Sequence, residues 1–198
     1  MMWSFTRISV LAACGLMAAC SHAPKTITMK TPDGKHEVMA PLPATLFSMA
    51  RVLEAQGRHD DSEALLRQLV VGHPDYVLAY YELSDILARQ HRLDEALLVL
   101  QAGLEEAPQD PILLNNAGMC ELMRKSYDKA FEYFKKAAAA DPADNRYKAN
   151  QALAMAMRGN LNDARAIYGS FLPPEQADQN MKIIEKTRLS EVSNAKKK

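Results

Sequence analysis

Three cysteines, five histidines and adjacent carboxylates such as Asp60-Asp61 and Glu105-Glu106 are the residues whose types could do chemistry. Cys14 and Cys20 belong to an apolar N-terminal stretch, and Cys120 is the single cysteine beyond it, so no disulfide framework is expected. His22 and His36 precede Pro43, while His59, His73 and His91 are scattered without an i, i+4 pair or a neighbouring cysteine. That spacing predicts no metal site. Asp60-Asp61 and Glu105-Glu106 fall where helix ends are expected, and Asp60 and Asp61 suit the positive end of a helix dipole. No Gly-rich phosphate loop and no Gly-x-Ser-x-Gly elbow is present. Cys120, beside Gly118 and Met119, reads as a buried inert thiol with no Lys or His placed to lower its pKa. The expectation is a chain that is not an enzyme, with no cofactor, no metal and no small-molecule substrate.

The elements around these residues set what else they can do. Lys+Arg and Asp+Glu are both 24, and 48% of residues are apolar. A neutral chain without a basic stripe releases few phosphate counterions, so nucleic acid is not an expected partner. The apolar fraction is ample for a packed core.

Met1–Arg7 carries one basic residue, and Ile8–Ala19 is an unbroken run of apolar and small residues. Twelve residues are too few to span a bilayer as a helix, which takes roughly 20. A basic start, a short apolar run and small residues before a cleavage point make a secretory signal. The ending Leu16-Met17-Ala18-Ala19-Cys20-Ser21 resembles a bacterial lipoprotein signal, in which the cysteine is acylated and becomes the new N-terminus. Leu11-Ala12-Ala13-Cys14 fits that pattern too, but it leaves only Ile8–Ala13 as an apolar core, so Cys20 is the expected lipidation site and Cys14 the alternative. By the same resemblance Ser21, with no Asp after the cysteine, implies the periplasmic face of the outer membrane. More than one acyl chain is needed for stable anchoring, at about 0.8 kcal/mol per buried methylene. Residues 20–42, with Pro24, Pro32 and Gly34 and no sustained period, read as a flexible tether.

Pro74, Pro108 and Pro142 recur every 34 residues. Four units can be framed on them: 43–76, 77–110, 111–144 and 145–172. The eighth place holds Ala50, Ser84, Gly118 and Ala152, and the twentieth holds Ser62, Ala96, Ala130 and Ala164. The twenty-fourth holds Leu66, Leu100, Phe134 and Tyr168. Small residues let two helices of a hairpin approach, and a large one beside them fills the wedge. Proline ends each second helix. Gly57, His91, Lys125 and Gly159 share the turn place inside the units. This pattern resembles the tetratricopeptide repeat over about two-thirds of the chain. The resemblance implies an all-α solenoid of four helix–turn–helix repeats that acts as a protein-binding scaffold. Residues 173–191, with Pro174 at a first helical position and a stripe of Ala177, Met181 and Ile184, read as a capping helix, followed by a basic tail at 192–198.

In such solenoids the first helices line the inner wall. By resemblance to the family, the wall is expected to hold Phe47, Arg51 and Glu54 in the first repeat and Leu78, Tyr81, Asp85 and Arg89 in the second. The third contributes Ile112, Asn115, Met119, Leu122 and Met123, and the fourth Arg146, Leu153 and Met157. Asn116 and Asn150 stand where family members use Asn to hold a ligand backbone. Carboxylate capture by a Lys and Asn set is disfavoured, because Phe47, Arg51 and Glu82 replace that set. The expected partner is a peptide or helix with apolar anchors, since Met adapts to irregular surfaces.

The run Leu172-Pro173-Pro174-Glu175-Gln176-Ala177, with Arg158-Gly159-Asn160-Leu161-Asn162-Asp163-Ala164 before it, is more distinctive than generic repeat sequence. It resembles the C-terminal part of the TadD-type lipoproteins of tight-adherence (Flp) pilus systems, with a departure at Ile183-Ile184-Glu185-Lys186. That resemblance implies an accessory factor that assists assembly or localisation of a secretin pore. A pilotin-like or general envelope adaptor is the alternative.

Overall fold

The computed structural model describes residues 27–30, 36–39 and 42–195, and side chains over 42–190. The nine helices among them are α1 (Pro43–Ala55), α2 (His59–Gly72), α3 (Val77–Arg89), α4 (Leu93–Glu106), α5 (Pro111–Met123), α6 (Tyr127–Ala140), α7 (Asn145–Arg158), α8 (Leu161–Gly169) and α9 (Pro174–Ala195). The chain divides into two compact parts, the first ending at Gln90 and the second starting at His91. The N-terminal part holds α1–α3 and the C-terminal part α4–α9.

The local causes are legible residue by residue. Pro43 and Pro111 open α1 and α5, where a missing N–H costs nothing. Asp110 caps α5, its carboxylate accepting from the Ile112 and Leu113 N–H groups, and Asp144 caps α7 by accepting from Arg146 N–H. Gly57, His91, Lys125 and Gly159 all take positive φ, at 74°, 58°, 63° and 104°. One turn geometry therefore serves all four repeats, and two of the four residues that adopt it carry a Cβ. In three of the turns the following N–H donates back to a carbonyl five residues earlier: Arg58 to Leu53, Ser126 to Glu121 and Asn160 to Met155.

Packing follows the eighth, twentieth and twenty-fourth places. In the N-terminal part Ala50 and Ser62 are both buried, and the Ser62 hydroxyl donates to the Ala50 carbonyl at 2.8 Å. The hydroxyl that departs from the repeat's usual Ala is thus satisfied inside the core. In the C-terminal part Gly118 lies under Phe134: a Cβ added there would sit 2.6 Å from Phe134 Cε1. Ala130 and Phe134 are fully buried with Ala154. Ala152 and Ala164 join Ala156 and Tyr168 in another cluster, over which α9 lays Ala177, Met181 and Ile184. The Tyr168 hydroxyl donates to the Ala149 carbonyl, and Arg165 pairs with Asp178 between α8 and α9.

Two short strands lie within the stretch expected as a tether. Ile27–Lys30 (β1) and His36–Met39 (β2) pair antiparallel, with Ile27 opposite Met39 and Lys30 opposite His36. The β-branched residues and the Thr31-Pro32-Asp33-Gly34-Lys35 sequence between the strands are hairpin signals. The expectations for Cys14, Cys20, the signal and the last three lysines fall outside the described residues.

The turns and the close approach can each be tested by substitution. His91→Gly and Lys125→Gly should each stabilise by about 0.5 kcal/mol: relief of about 1 kcal/mol of left-handed strain is partly offset by a freer unfolded chain. Urea unfolding midpoints measure this, and a drop at both sites would contradict it. Gly118→Ala should destabilise by about 1–3 kcal/mol of overpacking despite better helix propensity. Adding Phe134→Leu should recover part of that loss in a double-mutant cycle.

Candidate partner-binding surface

The first helices present two chemically different surfaces. In the N-terminal part the charged residues bind one another. Glu54 on α1 is the hub. Its Oε1 accepts from Arg89 on α3 at 2.7 Å, and its Oε2 lies 3.0 Å from His59 Nδ1. Arg89 also reaches Asp85 at 3.0 Å, and Arg51 lies 3.8 Å from Glu82. Partial burial pushes the Glu54 carboxyl up, but hydrogen bonds and charge from His59 and Arg89 outweigh it and hold the carboxyl below its ordinary value. The Arg89 guanidinium is held still more firmly protonated, chiefly by its hydrogen bond to Glu54. Phe47 packs edge-on against Tyr76, with centroids 5.6 Å apart. Leu78 is exposed and Tyr81 half-buried.

In the C-terminal part the surface is amide and thioether. Asn150 on α7 donates to Asn115 on α5 at 2.7 Å, and Asn115 reaches Asn116 at 3.5 Å. The three expected asparagines therefore form one row. Ile112, Met119 and Met123 on α5 are large apolar residues left exposed. Leu122 is half-buried against the Phe134 cluster, and Leu153 and Met157 against the Tyr168 cluster. These three serve the core at least as much as the surface. Arg146 folds back on Asp144, beside the α7 cap.

Two features escaped sequence reasoning. Tyr76, the last place of the first unit and in the loop before α3, packs against Phe47, a contact the repeat pattern does not mark. Glu121 is buried on α5, its carboxylate 3.6 Å from Arg124 and 4.0 Å from Lys129. Its signal is a carboxylate inside the apolar run Gly118–Met123, at a place where the other repeats carry Leu53, Leu87 and Met155. Among the described residues no group of three or more His, Cys, Asp or Glu side chains is arranged to hold a metal ion. No described helix is long and apolar enough to cross a membrane.

The Glu54 hub makes stability depend on pH. Its folded pKa lies below the unfolded value of about 4.3, so its contribution is complete above that value and is lost as pH falls through the folded one. Glu54→Gln should lower the urea midpoint at pH 7 and flatten its decline below about pH 4.3. Parallel wild-type and variant profiles would contradict the hub.

The comparisons with known proteins agree with this architecture. The family model for the tetratricopeptide repeat matches residues 47–111 and 99–145. The chain is 29% identical over 126 residues to Protein O-mannosyl-transferase TMTC1 of Mus musculus, covering 62% of this chain and 13% of that protein. The chain thus spans only a small part of that relative. Among solved structures, TTC0263, a thermophilic TPR protein of Thermus thermophilus, is 23% identical with a TM-score of 0.59, over 75% of this chain and 81% of that one. YrrB, described as a TPR protein with an unusual peptide-binding site, is 14% identical with a TM-score of 0.59, over 72% and 76%. Such identities carry the fold alone. Proteins of this repeat bind other proteins, and the exposed α5 face suits that use. With half its length matched and the turn, close approach and wedge recurring in register, the chain belongs to the tetratricopeptide repeat family.

Proposed function

We propose that this protein is an outer-membrane lipoprotein, anchored through Cys20 on the periplasmic face, that serves as a protein-binding scaffold in tight-adherence (Flp) pilus biogenesis and assists assembly or localisation of the secretin. The observation that carries the binding role is the Asn115–Asn116–Asn150 row beside exposed Ile112, Met119 and Met123. An amide row offers donors and acceptors to a partner's main chain, and the thioethers offer adaptable apolar contact. A segment of the secretin with apolar anchors is the occupant this chemistry suits. The pilus assignment is supported by the Leu172–Ala177 run and its resemblance to TadD-type lipoproteins. The alternative within the same class is a pilotin-like or general envelope adaptor of another pilus, secretion or cell-wall system.

Crosslinked pull-down from cell envelopes tests the partner. Met119→Asp with Met123→Asp should cut secretin recovery about tenfold while circular dichroism stays unchanged, as removal of apolar anchors from an exposed face predicts. Equal recovery with the variant would reject the α5 face, and recovery of a different pilus or secretion component would favour the alternative. Cys20→Ala should move the protein from the membrane to the soluble fraction. Continued acyl labelling of that variant would transfer the anchor to Cys14.

A further inference from the structure

The described methionines differ sharply in how open their sulfur is. Met181 of α9 is fully buried, and Met155 and Met157 of α7 pack partly against the same Tyr168 cluster. Met119 and Met123 of α5 stand 36% and 42% exposed. One helical turn separates them, so their thioethers share a side of α5 with Ile112. Met49 is exposed as well, but it is the single methionine of α1. The surroundings of the α5 pair are also particular. Side chains three and four apart are neighbours on a helix surface, so Asn115 and Asn116 set amide groups beside Met119. A thioether is close to apolar and a weak acceptor, whereas one added oxygen makes it a polar sulfoxide.

We propose that Met119 and Met123 form a reversible oxidation site that switches the α5 face from apolar to polar. The proposal rests on the binding role given above for that face and adds how the face is regulated. The oxidant is a hydroperoxide. The sulfur lone pair attacks the terminal peroxide oxygen, the O–O bond breaks and an S–O bond forms. Sulfur loses two electrons to the peroxide, whose other oxygen takes up the hydroxyl proton and leaves as water or an alcohol. Attack needs an open sulfur, which Met119 and Met123 have and Met181 lacks. The new oxygen is a hydrogen-bond acceptor, and the Asn116 amide one turn away supplies a donor. Oxidation therefore removes the adaptable apolar contact and also occupies part of the amide row that a partner's main chain would use. Methionine sulfoxide reductases restore the thioether. The sulfoxide oxygen then leaves as water while two thiols join as a disulfide.

Peptide mapping by mass spectrometry, after graded hydrogen peroxide treatment of the full-length protein in detergent, reads the site without any partner. Met119 and Met123 should each gain one oxygen about tenfold faster than Met181, with circular dichroism unchanged. Equal rates at all three would overturn the proposal. Crosslinked pull-down then reads the switch. Peroxide should lower secretin recovery by the wild type about tenfold, and methionine sulfoxide reductase should restore it. Met119→Leu with Met123→Leu keeps apolar side chains of similar volume that peroxide does not oxidise. Its recovery after peroxide should stay within about twofold of its own untreated value. Met49 is oxidised in both proteins, so the difference between them reports α5 alone. Equal losses in the two proteins, or wild-type recovery that survives complete oxidation of Met119 and Met123, would reject the switch. No recovery by untreated wild type would count against the secretin reading, with the oxidation map still deciding the site.

Discussion

Helix-to-helix approach at the eighth and twentieth repeat places is the constraint from which the rest of the array follows. Two helix backbones can come within contact only where side chains are small, and the space beside them must then be filled. Gly118 under Phe134 is the tightest case, since not even a methyl group fits. Ser62 shows the same place meeting a different need, because its hydroxyl reaches the Ala50 carbonyl that the approach brings near. The turn between the helices must reverse the chain within a few residues, and a left-handed residue does so in each repeat. His91 and Lys125 adopt that geometry at some cost because the packing on either side overrides their preference.

That framework leaves the outer side chains of the first helices to specialise. On α1, α2 and α3, Glu54, His59, Asp85 and Arg89 pair with one another. On α5 and α7 the Asn115, Asn116 and Asn150 amides offer hydrogen-bonding groups beside the exposed thioethers of Met119 and Met123. A partner that gives up water here loses less than it would against fixed charges, because neutral amides are cheaper to desolvate. The two ends of the array differ as well. Ala177, Met181 and Ile184 of α9 cover the core at the C-terminal end, whereas the equivalent surface of α1 stays apolar and exposed.

Spacing in the chain was sufficient to place the helices, because proline, small residues and turn residues act locally and recur every 34 positions. The capping stripe Ala177, Met181 and Ile184 was readable for the same reason: a period of 3–4 residues marks one buried face of a helix. Short signals were not legible in the same way. Two four-residue strands within a polar, proline-bearing stretch have too few alternations to stand out from a linker. Tyr76 and Glu121 were missed because neither occupies a place that the repeat defines as important.

The sequence by itself determined the repeat, its length and its turns. Tertiary structure decided which of those surface residues have anything left to offer. Glu54 meets Arg89, and Asn115 meets Asn150, across a separation of 35 residues each. Leu122, Leu153 and Met157 turn half inward while Ile112, Met119 and Met123 stay exposed. Exposure and pairing depend on what the neighbouring helices bring alongside, and that is a property of the stacked array rather than of any one repeat.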